Sequence, residues 1–149
     1  MTTPTQFANK ATTENKQSVV IQVPASTSNC GPGFDTLGVA LQLYNFVRIE
    51  LSESGAIEAA DSEQNEPTLK RMVSEAASAY FEATDTQPQG FRYSIWGEVP
   101  IARGLGSSST IRAGVVAGLN ALDGSPLTLV RCIELVSRLD HAPDNTCAA

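Results

Sequence analysis

The sequence predicts an α+β fold, on two observations. The runs "VVIQVPA" (19–25), "VALQLYNFVRIEL" (39–51) and "FRYSIWGEV" (91–99) are β-branched or alternate apolar with polar, and they read as strands. Three later stretches carry apolar residues at three- and four-residue spacing and read as helices. Strands and helices are mixed without strict β–α–β alternation, which favours α+β over a doubly wound sheet. With 149 residues, 42% of them hydrophobic, the chain fits one domain with a real core.

Taken in order, residues 1–17 are polar and Thr-rich and read as a disordered tail, with the folded domain over 18–149. The first strand, 19–25, ends near Pro24, a residue confined to strand ends and edges. A Gly/Pro/Asn/Asp loop fills 26–38. In the second strand, 39–51, Phe46, Arg48 and Glu50 alternate with Val47, Ile49 and Leu51. Residues 52–67 predict a hairpin return and then a loop. Leu69, Met72, Val73, Ala76 and Tyr80 define one face of a helix with Thr68 as its N-cap, and "TDTQPQG" (84–90) breaks it. Phe91, Tyr93 and Ile95 share one side of the next strand. Ile111, Val115, Leu119 and Leu122 share a helical face that ends at "DGSP" (123–126). Leu129, Cys132, Ile133 and Val136 mark a third helix with Thr128 as a possible cap, and "DHAPDNTCAA" (140–149) reads as a closing loop.

The formal net charge of −6 disfavours nonspecific binding to nucleic acid or an anionic membrane, but leaves room for a local anion site built from backbone N–H groups. Three widely spaced cysteines, Cys30, Cys132 and Cys147, lack any CxxC pattern and read as reduced thiols of a cytoplasmic protein. No apolar run is long enough to span a membrane, and the N-terminus carries no apolar signal-peptide core.

The most informative stretch is "ARGLGSSSTIRAG" (102–114), where two glycines and three serines sit between a strand and a helix. A helix start offers unpaired N–H groups and a partial positive charge, while Gly104 and Gly106 permit close backbone approach. This is the makings of a phosphate cradle. The plain alternative is a turn with Ser107 as an ordinary N-cap, and on these residues alone both readings stand. Gly106 is not followed by Lys, so the loop is not the common P-loop, and it lacks the third glycine of a dinucleotide fingerprint.

The residues resemble a third solution, the GHMP kinases (galactokinase, homoserine kinase, mevalonate kinase and phosphomevalonate kinase). The family's ATP loop reads P-x-x-x-G-L-G-S-S followed by alanine or serine. Pro100, Gly104, Leu105, Gly106, Ser107, Ser108 and Ser109 fit it in spacing. A second motif, "PASTSNCGPGFDTLG" from Pro24 to Gly38, resembles the first motif of the homoserine kinase branch, with Cys30 in place of a leucine. A third, weaker likeness covers Asp140-His141-Ala142-Pro143-Asp144-Asn145 against E-G-H-P-D-N. Here Asp140 takes the place of the glutamate with a shorter arm, and His141 stands one position early.

The resemblance implies the family's two-part architecture (a ribosomal protein S5 domain 2-like fold), with the N-terminal ATP-binding portion present and incomplete at its C-terminus. It also implies binding of ATP by Pro100 and by Arg103 to Ser109, and of Mg²⁺ by Ser108 and Asp140. Asn29, Asp35 and His141 would contact the small-molecule substrate, L-homoserine, and Asn145 would stand where other branches carry a catalytic aspartate. The expected reaction is in-line transfer of the γ-phosphoryl group to the homoserine side-chain hydroxyl, a step of threonine biosynthesis, by a homodimer in the full-length form. Family members are longer than this chain, so residues 1–149 alone are expected to be inactive. Asx residues beside glycines also make turns without any ligand, which is the plain reading of Asn29 and Asp35. His141 has its own plain reading as an exposed loop residue. Two further readings remain open: another small-molecule kinase of the family, or a non-catalytic nucleotide-binding remnant.

Overall fold

In the computed structural model, which describes residues 12–15, 17–31, 37–140 and 143–149, one sheet is covered on one face by helices. Its strands are β1 (Thr12–Asn15), β2 (Ser18–Thr27), β3 (Val39–Ser52), β4 (Ile57–Ala59) and β5 (Gly90–Gly97), in the order β1-β2-β3-β5-β4. All neighbours are antiparallel except β4 and β5. The helices are α1 (Pro67–Thr84), α2 (Ser107–Leu122), α3 (Leu129–Asp140) and α4 (Pro143–Ala148). The mixed α+β class holds as expected.

The alternation of the strands decides which face is covered. Val19, Ile21 and Val23 on β2, Val47 and Ile49 on β3, and Phe91 and Tyr93 on β5 are buried against the helices. The helices answer with Val73, Ala76, Ala77 and Tyr80 of α1, Ile111, Val115, Val116 and Leu119 of α2, and Cys132, Leu135 and Val136 of α3. On the other face Phe46 and Trp96, paired across β3 and β5, stack with ring centroids 5.6 Å apart. Helix α2 lies very close to β3, because a Cβ at Gly114 would collide with the Val47 side chain and one at Gly118 would come 2.8 Å from Ile49 Cγ1.

Several expectations are corrected. Of the tail expected over 1–17, Thr12–Asn15 form β1 on the edge of the sheet, paired to β2. The hairpin return expected after β3 does not pair with β3. β4 crosses to the far edge beside β5, because parallel strands need a crossover connection and α1 supplies it. The cap of α1 is Glu66, not Thr68: its carboxylate accepts from the N–H groups of Thr68 (3.1 Å) and Leu69 (2.9 Å), and Pro67 takes the first helical position. Thr128 does cap α3, accepting from Arg131 N–H at 3.3 Å, but Leu129 is exposed and Leu135 joins the buried face instead. The closing loop contains a helix, α4, started by Pro143. Six residues are too few to be helical alone, and contacts with β2 and α3 hold them.

Candidate active site

The glycine–serine stretch lies between β5 and α2. Gly106 is the residue before the helix, in left-handed conformation (φ 66°, ψ 29°), and no side chain caps this end. Ser107 is therefore the first residue of α2, not its cap. The Thr110 N–H bonds to the Gly106 carbonyl at 2.9 Å, whereas those of Ser107, Ser108 and Ser109 precede the first helical bond and have no carbonyl a turn back to accept them. Gly104 shares the left-handed conformation (φ 69°). Backbone conformation favours glycine at both positions, and at Gly106 space does too, since a Cβ there would come 2.6 Å from Oγ and 3.2 Å from the carbonyl of the buried Ser26, whereas at Gly104 it would meet only the end of the exposed Asn29 side chain.

Contacts from two strands, β3 and β2, fix the loop, and α4 braces the second. Asn45, buried on β3, donates from Nδ2 to Thr110 Oγ1 at 2.8 Å and accepts from the Val99 N–H at 3.4 Å, so one side chain ties both ends of the loop to the sheet. Thr110 Oγ1 in turn donates to the Ser107 carbonyl at 2.8 Å. The register of β2 shifts between Pro24 and Ser26, and this irregularity leaves both Ala25 and Ser26 buried where alternation would have turned one outward. Ser26 N–H then bonds to the Leu105 carbonyl at 3.2 Å, and its hydroxyl donates to the carbonyl (2.9 Å) and Oδ1 (3.3 Å) of Asn145. Asn145 Nδ2 completes the link by donating to Ser28 Oγ at 3.3 Å.

These groups border a cleft of about 1100 Å³. Its lining runs from Asn29, Asn145 and the Arg103–Ser109 backbone to an apolar part made by Leu69, Met72, Ile95 and Trp96. Gln64 stiffens that part by accepting from the Ile95 N–H and donating to the Ile95 carbonyl, both at 2.8 Å. Arg103 is the basic residue among the lining groups described.

Asp140, the last residue of α3, reaches the cleft from the other side of α2's first turn. One carboxylate oxygen accepts from the Ser109 hydroxyl and the other from Arg112 Nη1 at 2.5 Å. The Asp140 side chain is 4% exposed and that of Arg112 11%. Arg112 Nη2 also meets Glu75 of α1 at 3.3 Å. Ser108 and Asp140 both line the cleft and offer a hydroxyl and a carboxylate, hard oxygen donors of the kind Mg²⁺ takes alongside phosphate oxygens and water. The carboxylate keeps free lone pairs after its two bonds, so the donor set fits the ion.

The structure thus brings Asn29, Arg103, the 104–109 segment, Asp140 and Asn145 to one cleft, with Pro100 exposed at the start of the loop. Asp35 and His141 lie outside the described residues. Sequence reasoning missed Ser26, Ser28, Asn45, Glu75 and the role of Arg112. A proline inside a strand run is a signal for the irregularity that turns Ser26 inward; the others depend on distant pairing that leaves no local trace.

The fold is shared with solved structures. A homoserine kinase from Cytophaga hutchinsonii superposes with a TM-score of 0.75 at 22% identity, covering 88% of this chain and 45% of that one. A mevalonate kinase from Methanococcus jannaschii gives 0.71 at 17% identity, covering 85% and 49%. The sequence profile of the GHMP kinases N terminal domain matches residues 71–149, and the chain belongs to the GHMP kinase family. It is 40% identical over 136 residues to a homoserine kinase of Corynebacterium diphtheriae (89% of this chain, 44% of the relative). It is 37% identical over 134 residues to a homoserine kinase of Moorella thermoacetica (87% and 45%). The chain spans a little under half the length of these curated relatives.

Proposed function

We propose that residues 18–149 form the ATP-binding domain of a kinase that phosphorylates the side-chain hydroxyl of L-homoserine. The observation that carries the nucleotide part is the start of α2. An end without a side-chain cap, flanked by two left-handed glycines, borders a cleft large enough for a nucleotide. The N–H groups of Ser107, Ser108 and Ser109 hold phosphate oxygens, aided by the helix dipole and by Arg103. Leu69, Met72, Ile95 and Trp96 receive the base. The homoserine part rests on the similarity to proteins called homoserine kinase and on the Pro24–Gly38 motif.

Ser108 and Asp140 would hold Mg²⁺, which when bound neutralises charge on the transferring phosphate. The chain's own residues orient the reactants. Asn29 beside Gly104 and Asn145 beside Gly106 offer amide groups to the acceptor and the phosphate, and Asp35 offers a carboxylate to the acceptor's ammonium group. Asn145 takes no proton. Catalysis rests on in-line positioning and on fixed donors aimed at the phosphate oxygens.

The test is a titration of Mg–ATP followed by the fluorescence of Trp96, the one tryptophan of the chain, which lines the cleft. A Gly106→Val variant shown to be folded by circular dichroism should bind at least about tenfold more weakly, a loss of ~1.4 kcal/mol. Unchanged affinity would mean that the loop is only a turn. Homoserine, mevalonate and galactose are then compared as acceptors in the full-length context. Preference for either of the last two overturns the homoserine assignment.

A further inference from the structure

Arg112 has no part in the family motif and does not line the cleft, yet it grips a residue that does. Asp140 is in an awkward place for a carboxylate. It ends α3, where the helix dipole is negative, and it is almost fully buried. Its two oxygens are claimed by groups one turn apart on α2, the Ser109 hydroxyl and the Arg112 guanidinium. The guanidinium's other arm reaches Glu75 on α1, which also lies 3.8 Å from Arg71. Three helices therefore converge on one arginine. Asp140 lines the cleft and Arg112 does not, so the arginine holds the carboxylate without itself bordering the cleft.

We propose that Arg112 is a positioning residue for the divalent cation: it holds the Asp140 carboxylate in the place and orientation from which it serves the cleft that Ser108 also lines. The inference rests on the reading of Ser108 and Asp140 as metal ligands given above. A guanidinium suits this task because its planar head holds two carboxylates at once in fixed geometry, Asp140 through Nη1 and Glu75 through Nη2, which a lysine ammonium does not do with the same rigidity. Groups that orient a metal ligand from outside its coordination sphere typically change metal affinity when removed. The shorter arm of Asp140, where the family motif has glutamate, makes its aim depend more on such a grip.

The experiment measures ATP affinity by Trp96 fluorescence in the presence of EDTA and again with Mn²⁺, in the wild type, Arg112→Met, Arg112→Lys, Asp140→Asn and the Asp140→Asn/Arg112→Met double variant. In Arg112→Met the gain in affinity that Mn²⁺ confers should fall roughly tenfold, the lower end for loss of such a partner, while metal-free affinity stays as in the wild type. Arg112→Lys should recover part of the gain, and in the Asp140→Asn background Arg112→Met should add nothing. If Arg112→Met fails to fold, Arg112→Lys and the charge-balanced double variant carry the comparison. A wild-type gain from Mn²⁺ that the folded Arg112 variants leave intact overturns this proposal alone. So does an equal loss of metal-free and metal-dependent affinity, or an undiminished effect in the Asp140→Asn background. A wild type that binds ATP with no gain from Mn²⁺ overturns the metal-ligand reading, and this proposal with it.

Discussion

Glu66 shows how much one exposed side chain can decide. Its carboxylate accepts two N–H groups at the start of α1, and those bonds hold its pKa below the ordinary carboxylate value. The folded-state pKa is depressed, so the cap's contribution is present above the unfolded pKa and fades as the pH falls through the folded one. Glu66→Ala should lower stability at neutral pH and flatten the acid limb of the stability curve between about pH 5 and pH 3. Urea unfolding at several pH values checks this, and parallel acid limbs in the two proteins would sink it. The cap was not legible because Thr68 is the better capping residue by type. Pro67, with its fixed φ, makes the preceding residue the natural cap. The site was legible only as far as it is local. Gly104 to Ser109 announce themselves by spacing. The ties from Asn45 to Thr110, from Ser26 to Asn145 and from Arg112 to Asp140 join residues far apart in the chain and leave no pattern to read.

At the scale of elements, periodicity found what periodicity can find. The faces of α1 and α2 and the buried sides of β2, β3 and β5 follow the spacing of their apolar residues. It gave a return strand where β4 lies but not its partner, and it missed α4, six residues long, because the partner of β4 and the form of α4 depend on what they pack against. It also missed the importance of the glycines inside α2. Gly114 and Gly118 lie where the helix meets Val47 and Ile49, and side chains there would push α2 off the sheet. Since α2 begins at the loop proposed to hold phosphate, and Asn45 of β3 is bonded to Thr110 in its first turn, the fit of helix to strand also bears on where that loop sits. Gly114→Ala gains about 1 kcal/mol in helix propensity but overpacks the contact at a typical cost of 1–3 kcal/mol, so a net loss of up to about 2 kcal/mol is expected. Val47→Ala in the same chain removes the nearest contact, with Cγ2, while Cβ at 2.7 Å stays, so it should relieve part of the clash and make the pair less than additive. Chemical denaturation of the two single variants and the double variant measures this. Strict additivity would show that the helix and strand are not in tight contact.

At the scale of the whole molecule, binding and turnover should separate. The groups proposed to hold a nucleotide all lie on this chain: the start of α2, the apolar end of the cleft, and Asp140 with its arginine. An amino-acid acceptor asks for more. Its carboxylate needs a cation, and the cleft's described lining offers Arg103 alone, exposed on the loop and assigned to phosphate. Arg112 is taken by Asp140 and Glu75. The curated relatives called homoserine kinase extend well beyond the part this chain matches, so their activity belongs to more polypeptide than these 149 residues. Residues 1–149, purified as they stand, should therefore bind Mg–ATP and yet consume none of it in the presence of homoserine. A phosphorylation assay beside the fluorescence titration decides the matter. Saturable binding without turnover is the expected pair of results. Homoserine-dependent turnover by this polypeptide would mean that Arg103, or a group outside the described residues, already supplies the missing cation.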